Sequence, residues 1–411
     1  MVIDMKIKFL GGAEEVGRLA IKVEDGNQRF MVDYGMIPDK PPKYPMPPEP
    51  VDGLFLTHAH LDHTGMVPHY FSKFSANFYA TMMTANSIKP LLDDALKVAR
   101  LENYPRYFSA EDIDSVFSSL IPVNYGEYNE FGSMGFTPYS AGHIPGSTMW
   151  HFQNSRSLLV TGDLNTKDTL LLDGAKPVRS DVLIMESTYA GKNHEERSSV
   201  VKRLRESVKE VVDQGGKVIL PSFAVGRTQE LIMALSDLNL SIGVDGLGNS
   251  LTSIYLHTPG YFRSHRDLRR AVSRTRSVRN ARMRESALEN DVIITTSGML
   301  DGGPVLNYIR KLADDDKSAI FLTGYQVEGT NGRSLMENGT LTIDGKPMKP
   351  KQRIEFFDMS AHAGHDELVT FVKEVSPETV ILCHGENREK LLADLSEFEV
   401  ILPMNGNEFT V

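Results

Sequence analysis

Cysteine is nearly absent from the sequence, in which Cys383 is the only one among 411 residues. An intramolecular disulfide and a cysteine-based zinc site are therefore excluded. Long apolar runs are also lacking, and none approaches the roughly 18 consecutive residues that a membrane-spanning helix needs. The N-terminal residues do not combine a basic start with an apolar stretch and a small-residue cleavage site, as a secretory signal does. We therefore expect a cytoplasmic globular protein without membrane contacts.

An excess of positive charge is lacking as well. The chain has 44 Lys and Arg against 54 Asp and Glu, which gives a net charge of −10. A protein that coats nucleic acid through its overall field is basic, so any contact with nucleic acid must here be local. The motifs GxxxxGK[ST] and GxSxG are also missing, which disfavours a P-loop nucleotide hydrolase and a serine hydrolase.

Arginine is concentrated in one segment, residues 262–285, which contains nine arginines and no lysine. The planar guanidinium fork suits phosphate, so we expect this segment to place positive charge beside an active cleft. A solvated helix face, or a contact between two copies of the chain in a homodimer, is an alternative of nearly equal weight. The arginines with the expected nucleic-acid role are Arg263, Arg266, Arg269, Arg270, Arg274, Arg276 and Arg279.

The length of the chain favours two or three domains. The pattern of expected strands and helices also changes along the sequence. The first part reads as short strands interrupted by a proline-rich loop over residues 38–50. From about His194, helical and strand patterns alternate, which favours a parallel sheet covered by helices.

The strongest chemical signal is THAHLDH, which contains His58, His60, Asp62 and His63 just after an apolar strand-like run. Imidazoles and a carboxylate that converge from a loop suit zinc, and such a loop leaves positions open for water and substrate. A polar turn with coincidental histidines is a weak alternative, because most of the seven residues are of ligand type at fixed spacing.

Further ligands must come from other segments, and three candidates stand in polar positions next to apolar runs. They are Asp163 in LLVTGDL, His384 in VILCHGE and His143 in SAGHIPGS. A single histidine is more often a core or solvated residue, so the remaining ones, such as His69 and His151, are left to that reading.

These residues resemble the ordered motifs of the metallo-β-lactamase superfamily. Asp33 in MVDYG, the THAHLDH loop, His143 and Asp163 match its four motifs in order. Asp33 is read as a residue that orients the ligand loop, since a metal-bound histidine usually donates its other N–H to a carboxylate or a carbonyl. A carboxylate that only stabilises the turn before Gly35 is the competing interpretation.

Three later motifs resemble the β-CASP branch of that superfamily, which processes nucleic acids. They are Glu186 in LIMESTY, His362 in MSAHAGH and His384 in LCHGE, and a final histidine is the form associated with RNA-acting members. The resemblance covers nearly the whole chain. SAHAGHDEL is more similar to the archaeal and eukaryotic cleavage-and-polyadenylation-factor nucleases than to the bacterial RNase J type. Because the first strand is expected at about Lys6, the KH domains of many archaeal members are expected to be absent.

The resemblance implies two zinc ions and a division of the ligands between them. One zinc takes His58, His60 and His143, the other takes Asp62, His63 and His384, and Asp163 bridges them. Two metals about 3.5–4 Å apart can hold a phosphate and activate a shared water.

The expected catalytic residues are Asp62, His362 and Glu186. His362 is expected to protonate the leaving oxygen, because histidine is the side chain best suited to proton transfer near neutral pH. Glu186 would hold the imidazole in position and keep it protonated. Without the resemblance, His362 would be read as a helix N-terminal residue and Glu186 as a surface carboxylate.

The implied fold is α/β: an αββα metallo-β-lactamase domain from residues 1–188 and 347–411, with a β-CASP domain of parallel-sheet type inserted at 189–346. The implied function is zinc-dependent hydrolysis of single-stranded RNA in a cleft between the domains, as an endonuclease, a 5′-to-3′ exonuclease or both. A small-molecule metallo-hydrolase of the same superfamily is the alternative, but it leaves the insertion and the arginine segment without a purpose. A non-catalytic RNA-binding scaffold is a third hypothesis, and the full ligand set argues against it.

Overall fold

A computed structural model describes residues 5–411, which form two compact units. The first unit contains the described residues up to Asp168 together with Asp173–Asn193 and Ala361–Val411, and the second contains Thr169–Leu172 and His194–Ser360. The second unit therefore extends beyond the expected boundary at residue 346. The physical reason is that strand Arg353–Phe356 pairs in parallel with Ala319–Leu322, within the sheet of the second unit.

The first unit contains two seven-stranded sheets. In spatial order, the strands of the first sheet are Glu408–Thr410, Lys6–Gly11, Ala20–Asp25, Gln28–Val32, Gly53–Phe55, Asn77–Thr81 and Leu120–Val123. The strands of the second sheet are Glu399–Ile401, Thr379–Cys383, Val182–Glu186, Ser157–Val160, Thr148–Gln153, Met134–Ser140 and Asn129–Phe131. The helices of this unit are Leu61–Thr64, Val67–Phe71, Met82–Leu101, Ala110–Ser118, His365–Val375 and the 3₁₀ turn Arg388–Leu391.

The core of the first unit lies between its two sheets. Phe55 of the first sheet packs edge-on against Trp150 and Phe152 of the second, with ring centroids 5.1 and 4.9 Å apart. Helix His365–Val375 covers the other face of the second sheet, and helix Met82–Leu101 packs against the first. Apolar faces buried on both sides of each sheet produce this helix–sheet–sheet–helix order, which confirms the predicted αββα fold.

The second unit is built on a six-stranded sheet in which every pairing is parallel. In spatial order its strands are Thr275–Val278, Ile242–Asp245, Val292–Thr295, Val218–Pro221, Ala319–Leu322 and Arg353–Phe356, and a separate hairpin joins Leu341–Ile343 to Lys346–Met348. Its helices are Arg197–Asp213, Arg227–Leu235, Gly248–His257, His265–Val272, Ala281–Ala287, Val305–Leu312 and Asn331–Asn338. The prediction of a parallel sheet with helices in the inserted region is confirmed. Among residues 5–411, no helix is both long and apolar enough to cross a membrane.

The polar residues singled out above lie at the ends of strands in the first unit. Asp33, His58, Asp163 and His384 follow the carboxyl ends of four different strands, and Glu186 is the last residue of a fifth. Within each sheet these strands run parallel to one another. Their carboxyl ends therefore open at the same edge, where the side chains meet. Cys383 is buried at the end of the strand before His384.

Candidate metal centre

The seven expected ligands form two adjacent groups in the first unit. One atom from each member lies within 4.8 Å of the others in its group. The first group contains His58, His60, His143 and Asp163, and the second contains Asp62, His63 and His384.

The carboxylate of Asp163 faces both groups, one oxygen to each. Its Oδ2 lies 3.4 Å from Nε2 of His58 and 3.5 Å from Nε2 of His143. Its Oδ1 lies 3.2 Å from Nε2 of His63 and 3.5 Å from Nε2 of His384. A carboxylate in this position can serve one metal with each oxygen. The carboxylate of Asp62 is the more accessible one, with its side chain 25% exposed against 3% for Asp163.

Several of the candidate ligand atoms have no hydrogen-bond partner, as is expected for atoms that bind a metal. Nε2 of His63, Oδ1 of Asp163 and Nε2 of His384 are buried, and none of them forms a hydrogen bond within residues 5–411. Buried polar atoms are nearly always hydrogen-bonded. Three neighbouring buried atoms without a hydrogen-bond partner therefore indicate that a ligand binds there. Imidazole nitrogens and carboxylate oxygens are the donors that zinc and similar divalent ions accept. The residues therefore fit a divalent metal centre.

A further layer of contacts orients the ligands. Nδ1 of His63 lies 2.6 Å from Oδ2 of Asp33, and Asp33 also accepts hydrogen bonds from the backbone N–H and the hydroxyl of Thr57 at 2.7 and 2.6 Å. Nδ1 of His143 lies 2.7 Å from the carbonyl oxygen of Ala361. In both cases the occupied Nδ1 directs Nε2 to the centre, as is usual for metal-bound histidine. The buried Asp33 is thus more than a turn residue, and Thr57 is a supporting residue that the sequence interpretation missed.

The protonation of the buried histidines suits metal binding in part. Burial lowers the pKa of His58 well below its usual value, and burial together with the neighbouring charge of His362 lowers the pKa of His143 to about 3. Burial also lowers the pKa of His384. For His63, burial is outweighed by the carboxylates of Asp163 and Asp33, which raise its pKa. These shifts favour the neutral imidazole at His58, His143 and His384 and the charged form at His63.

His362 and Glu186 form a separate pair beside the ligands. Nδ1 of His362 lies 2.8 Å from Oε1 of Glu186, and its Nε2 lies 3.8 Å from Oδ2 of Asp163. Glu186 is only 1% exposed, and Oε1 also accepts the backbone N–H of Leu164 at 2.6 Å. The interpretation of Glu186 as a surface carboxylate therefore does not hold. Burial lowers the pKa of His362, but Glu186 and Asp163 outweigh it and raise this pKa to about 9.

The ring of Tyr189 is another neighbour of this pair. Its centroid lies 5.9 Å from that of the His362 imidazole. The sequence interpretation did not single it out, although it stands in the same LIMESTY motif as Glu186.

The arginine-rich segment belongs to the second unit, where helix His265–Val272 carries part of it. All seven arginines with the expected nucleic-acid role are exposed. Some are tied to the backbone, as Arg274 is to the carbonyl of Ser236 at 2.8 Å. Arg284, near the end of the segment, is different, because its Nε donates to the buried carboxylate of Asp245 at 2.7 Å. Arg284 is therefore a structural residue and not part of a free basic face.

Three family models match the chain in order along its length. A metallo-β-lactamase superfamily domain matches residues 23–188, and a β-CASP domain matches residues 228–335. A Zn-dependent metallo-hydrolase RNA specificity domain matches residues 347–400.

Several archaeal proteins are similar over nearly the whole chain. Probable RNase MJ4 of Methanocaldococcus jannaschii is 34% identical, over 99% of this chain and 100% of its own length. RNase aCSPSF2 of Saccharolobus solfataricus is 35% identical, over 98% of this chain and 85% of its own. Transcription termination factor FttA of Thermococcus kodakarensis is 32% identical, over 95% and 68%. A crystal structure of a protein of unknown function from Enterococcus faecalis shares the fold at 13% identity, with a TM-score of 0.63 over 99% of this chain and 100% of that one.

Proposed function

Because the chain belongs to the β-CASP branch of the metallo-β-lactamase superfamily, we propose that it hydrolyses phosphodiester bonds in single-stranded RNA with two zinc ions. The chain is a metal-dependent ribonuclease, since two relatives matched over 100% and 85% of their own length are named as RNases and an RNA-specificity domain matches its C-terminal part. A small-molecule metallo-hydrolase has no use for that domain.

The observation that carries the proposal is the position of Asp163 between two groups of histidines. Each oxygen of this carboxylate faces a different group of histidines, and this arrangement supports two metals, one at each group. The absence of sulfur donors and the imidazole-rich composition favour zinc. When bound, such metals lower the pKa of water and neutralise charge on a phosphate.

The residues of the chain have distinct tasks in this mechanism. Asp33 and the carbonyl of Ala361 accept hydrogen bonds from Nδ1 of His63 and His143, which directs each Nε2 to the metal centre. Asp62, the more exposed of the two ligand carboxylates, can accept a hydrogen bond from the attacking water. His362 donates a proton from Nε2 to the leaving 3′ oxygen, and Glu186 stabilises the imidazolium through Nδ1. Nε2 is the ring nitrogen on the side of the metal ligands, 3.8 Å from Oδ2 of Asp163, whereas Nδ1 faces Glu186.

One experiment tests the function directly. The purified protein is incubated with RNA labelled at either end and carrying a 5′ monophosphate, triphosphate or hydroxyl, and product lengths are followed with time. Loss of cleavage in chelator and recovery with zinc are expected. Internal fragments independent of the 5′ group indicate an endonuclease, and mononucleotides from 5′-monophosphate RNA indicate a 5′-to-3′ exonuclease. Full activity in chelator would contradict the metal mechanism.

The exposed arginines of the second unit are proposed to contact RNA phosphates. Replacement of Arg266, Arg269 and Arg270 by glutamine should weaken RNA binding and flatten its dependence on salt, because each lost phosphate contact lowers the logarithmic slope by about 0.7 on single strands. Binding is measured by fluorescence anisotropy across a series of salt concentrations. Arg310, an exposed arginine outside the segment, provides the matched control. An unchanged slope would contradict the RNA contact and favour the alternatives, in which the segment is a solvated helix face or a homodimer contact.

We also propose a cytoplasmic location, since a ribonuclease that acts on cellular transcripts must share their compartment. Fractionation of cells that express a tagged chain tests the location, and sedimentation at several protein concentrations tests for the homodimer.

A further inference from the structure

A cluster of tyrosines lies in the same unit as the metal ligands. We call it the tyrosine surface, and it consists of Tyr44, Tyr104 and Tyr107. The rings of Tyr44 and Tyr107 meet edge to face with centroids 4.5 Å apart, and Tyr107 is 45% exposed. The hydroxyl of Tyr44 also lies 3.5 Å from the carbonyl oxygen of Pro105, which places Tyr104 next in the chain to this contact. Tyr44 and Tyr104 are partly buried and Tyr107 is exposed, so the cluster presents aromatic surface to solvent, and a patch of exposed apolar surface can mark an interaction site.

Basic side chains flank these rings in the sequence. The segments 36–48 and 103–109 contain Lys40, Lys43 and Arg106 against a single acidic residue, Asp39. All three basic residues are exposed, and Asp39 pairs with Lys43 at 2.9 Å. These two segments carry a net charge of +2, on a chain whose net charge is −10. Aromatic rings together with basic side chains are the composition of sites that bind single-stranded nucleic acid, where bases stack and phosphates are neutralised.

One residue connects the tyrosine surface to the metal ligands. The guanidinium of Arg18 donates to the carbonyl of Tyr44 at 2.7 Å. The backbone on either side of Arg18 contacts the ligands: the N–H of Gly17 lies 3.4 Å from Nδ1 of His384, and the N–H of Leu19 donates to the carbonyl of Asp62 at 2.8 Å. Arg18 itself has a φ of +42°, a left-handed conformation that non-glycine residues rarely adopt. Arg18 thus contacts the backbone of Tyr44 through its side chain, while its two chain neighbours contact His384 and Asp62.

We propose that the tyrosine surface stacks the bases of single-stranded RNA that flank the scissile phosphate. This inference rests on the proposed function and adds the element that selects unpaired RNA. A duplex hides its base faces in the stack and cannot offer them to tyrosines, whereas an unpaired strand can. RNA is favoured over a protein partner by the basic flanks and by the continuity with the centre that acts on a phosphate.

The test is single-turnover cleavage of a single-stranded oligoribonucleotide at increasing concentrations of the metal-loaded protein. The half-saturating concentration reports binding, and the maximal rate reports chemistry. Tyr107→Ala should raise the half-saturating concentration roughly 5- to 150-fold, the effect of losing one base–aromatic stack, while the maximal rate and metal content stay unchanged. Tyr107→Phe should resemble the wild type because the ring remains. Tyr128→Ala removes a tyrosine of the same unit that is 62% exposed, and it serves as the matched control.

A second substrate separates the stacking of bases from contacts with the phosphates. RNA with abasic residues around the cleavage site keeps the phosphates but has no bases to stack, so Tyr107→Ala should lose no further affinity on it. Arg106→Gln should weaken both substrates and lower the salt slope by about 0.7. An equal effect of Tyr107→Ala on normal and abasic RNA, or none on either, would overturn the inference. Absence of cleavage by the wild type would instead contradict the proposed function.

Discussion

Replacement of Asp163 by asparagine should abolish RNA cleavage and lower the metal content at the same time. The two carboxylate oxygens face different histidine groups, and asparagine keeps the shape but offers one oxygen and no charge. The NH₂ group of the asparagine would direct its hydrogens at Nε2 of the histidines in one of the two groups, where the wild type has a carboxylate oxygen. We expect the rate to fall by roughly 10³-fold or more, because metals supply several kcal/mol of charge stabilisation and each 1.4 kcal/mol is a factor of ten.

Elemental analysis of protein purified without chelator measures the metal side of this prediction. The wild type should approach two zinc ions per chain, and Asp163→Asn should hold fewer than one. His384→Ala is the matched comparison, because His384 belongs to one group only and its loss should weaken that site alone. A wild type with a single metal, or an Asp163→Asn variant with two, would contradict the bridging arrangement.

Replacement of His362 by alanine should slow cleavage about 10²- to 10⁴-fold, the usual contribution of general acid catalysis. The imidazole is held by the buried Glu186 through Nδ1, and its Nε2 points toward Asp163. Because His362 is proposed to donate a proton and not to bind metal, metal content and RNA affinity should stay nearly unchanged. Single-turnover rates together with elemental analysis separate these effects.

A chemical substitution in the substrate identifies the step. RNA with a 3′-bridging phosphorothiolate has a leaving group that needs no proton, so it should recover much of the rate lost in His362→Ala. Glu186→Gln should show a smaller loss, since the amide can still bond Nδ1 but no longer stabilises its charge. His365→Ala, which removes a histidine three residues away that pairs with Asp394, is the control. A variant that loses metal would make His362 a ligand, and undiminished cleavage would make it structural.

The candidate metal ligands and the parallel sheet of the second unit could be predicted from the sequence alone. Asp163 and His384 stand out because each follows an apolar run, and a polar residue at the end of a buried strand lies at the edge of a sheet. THAHLDH carries its four candidate ligands within six positions, so no long-range information is needed to propose a metal. The alternation of helix and strand after His194 likewise predicts a parallel sheet from period and spacing. These features depend on near neighbours in the chain, which a sequence displays directly.

The tertiary structure decided which distant residues face each other. The hydrogen bond between Asp33 and His63, the burial of Glu186 beneath His362 and the pairing of Arg284 with Asp245 join positions that no local pattern connects. The same holds for the boundary of the second unit, which moves because strand Arg353–Phe356 joins a sheet formed earlier in the chain. Periodicity records how one segment alternates between buried and exposed faces. It does not record the partner that covers the buried face, since packing selects that partner by shape and charge only when the chain is folded.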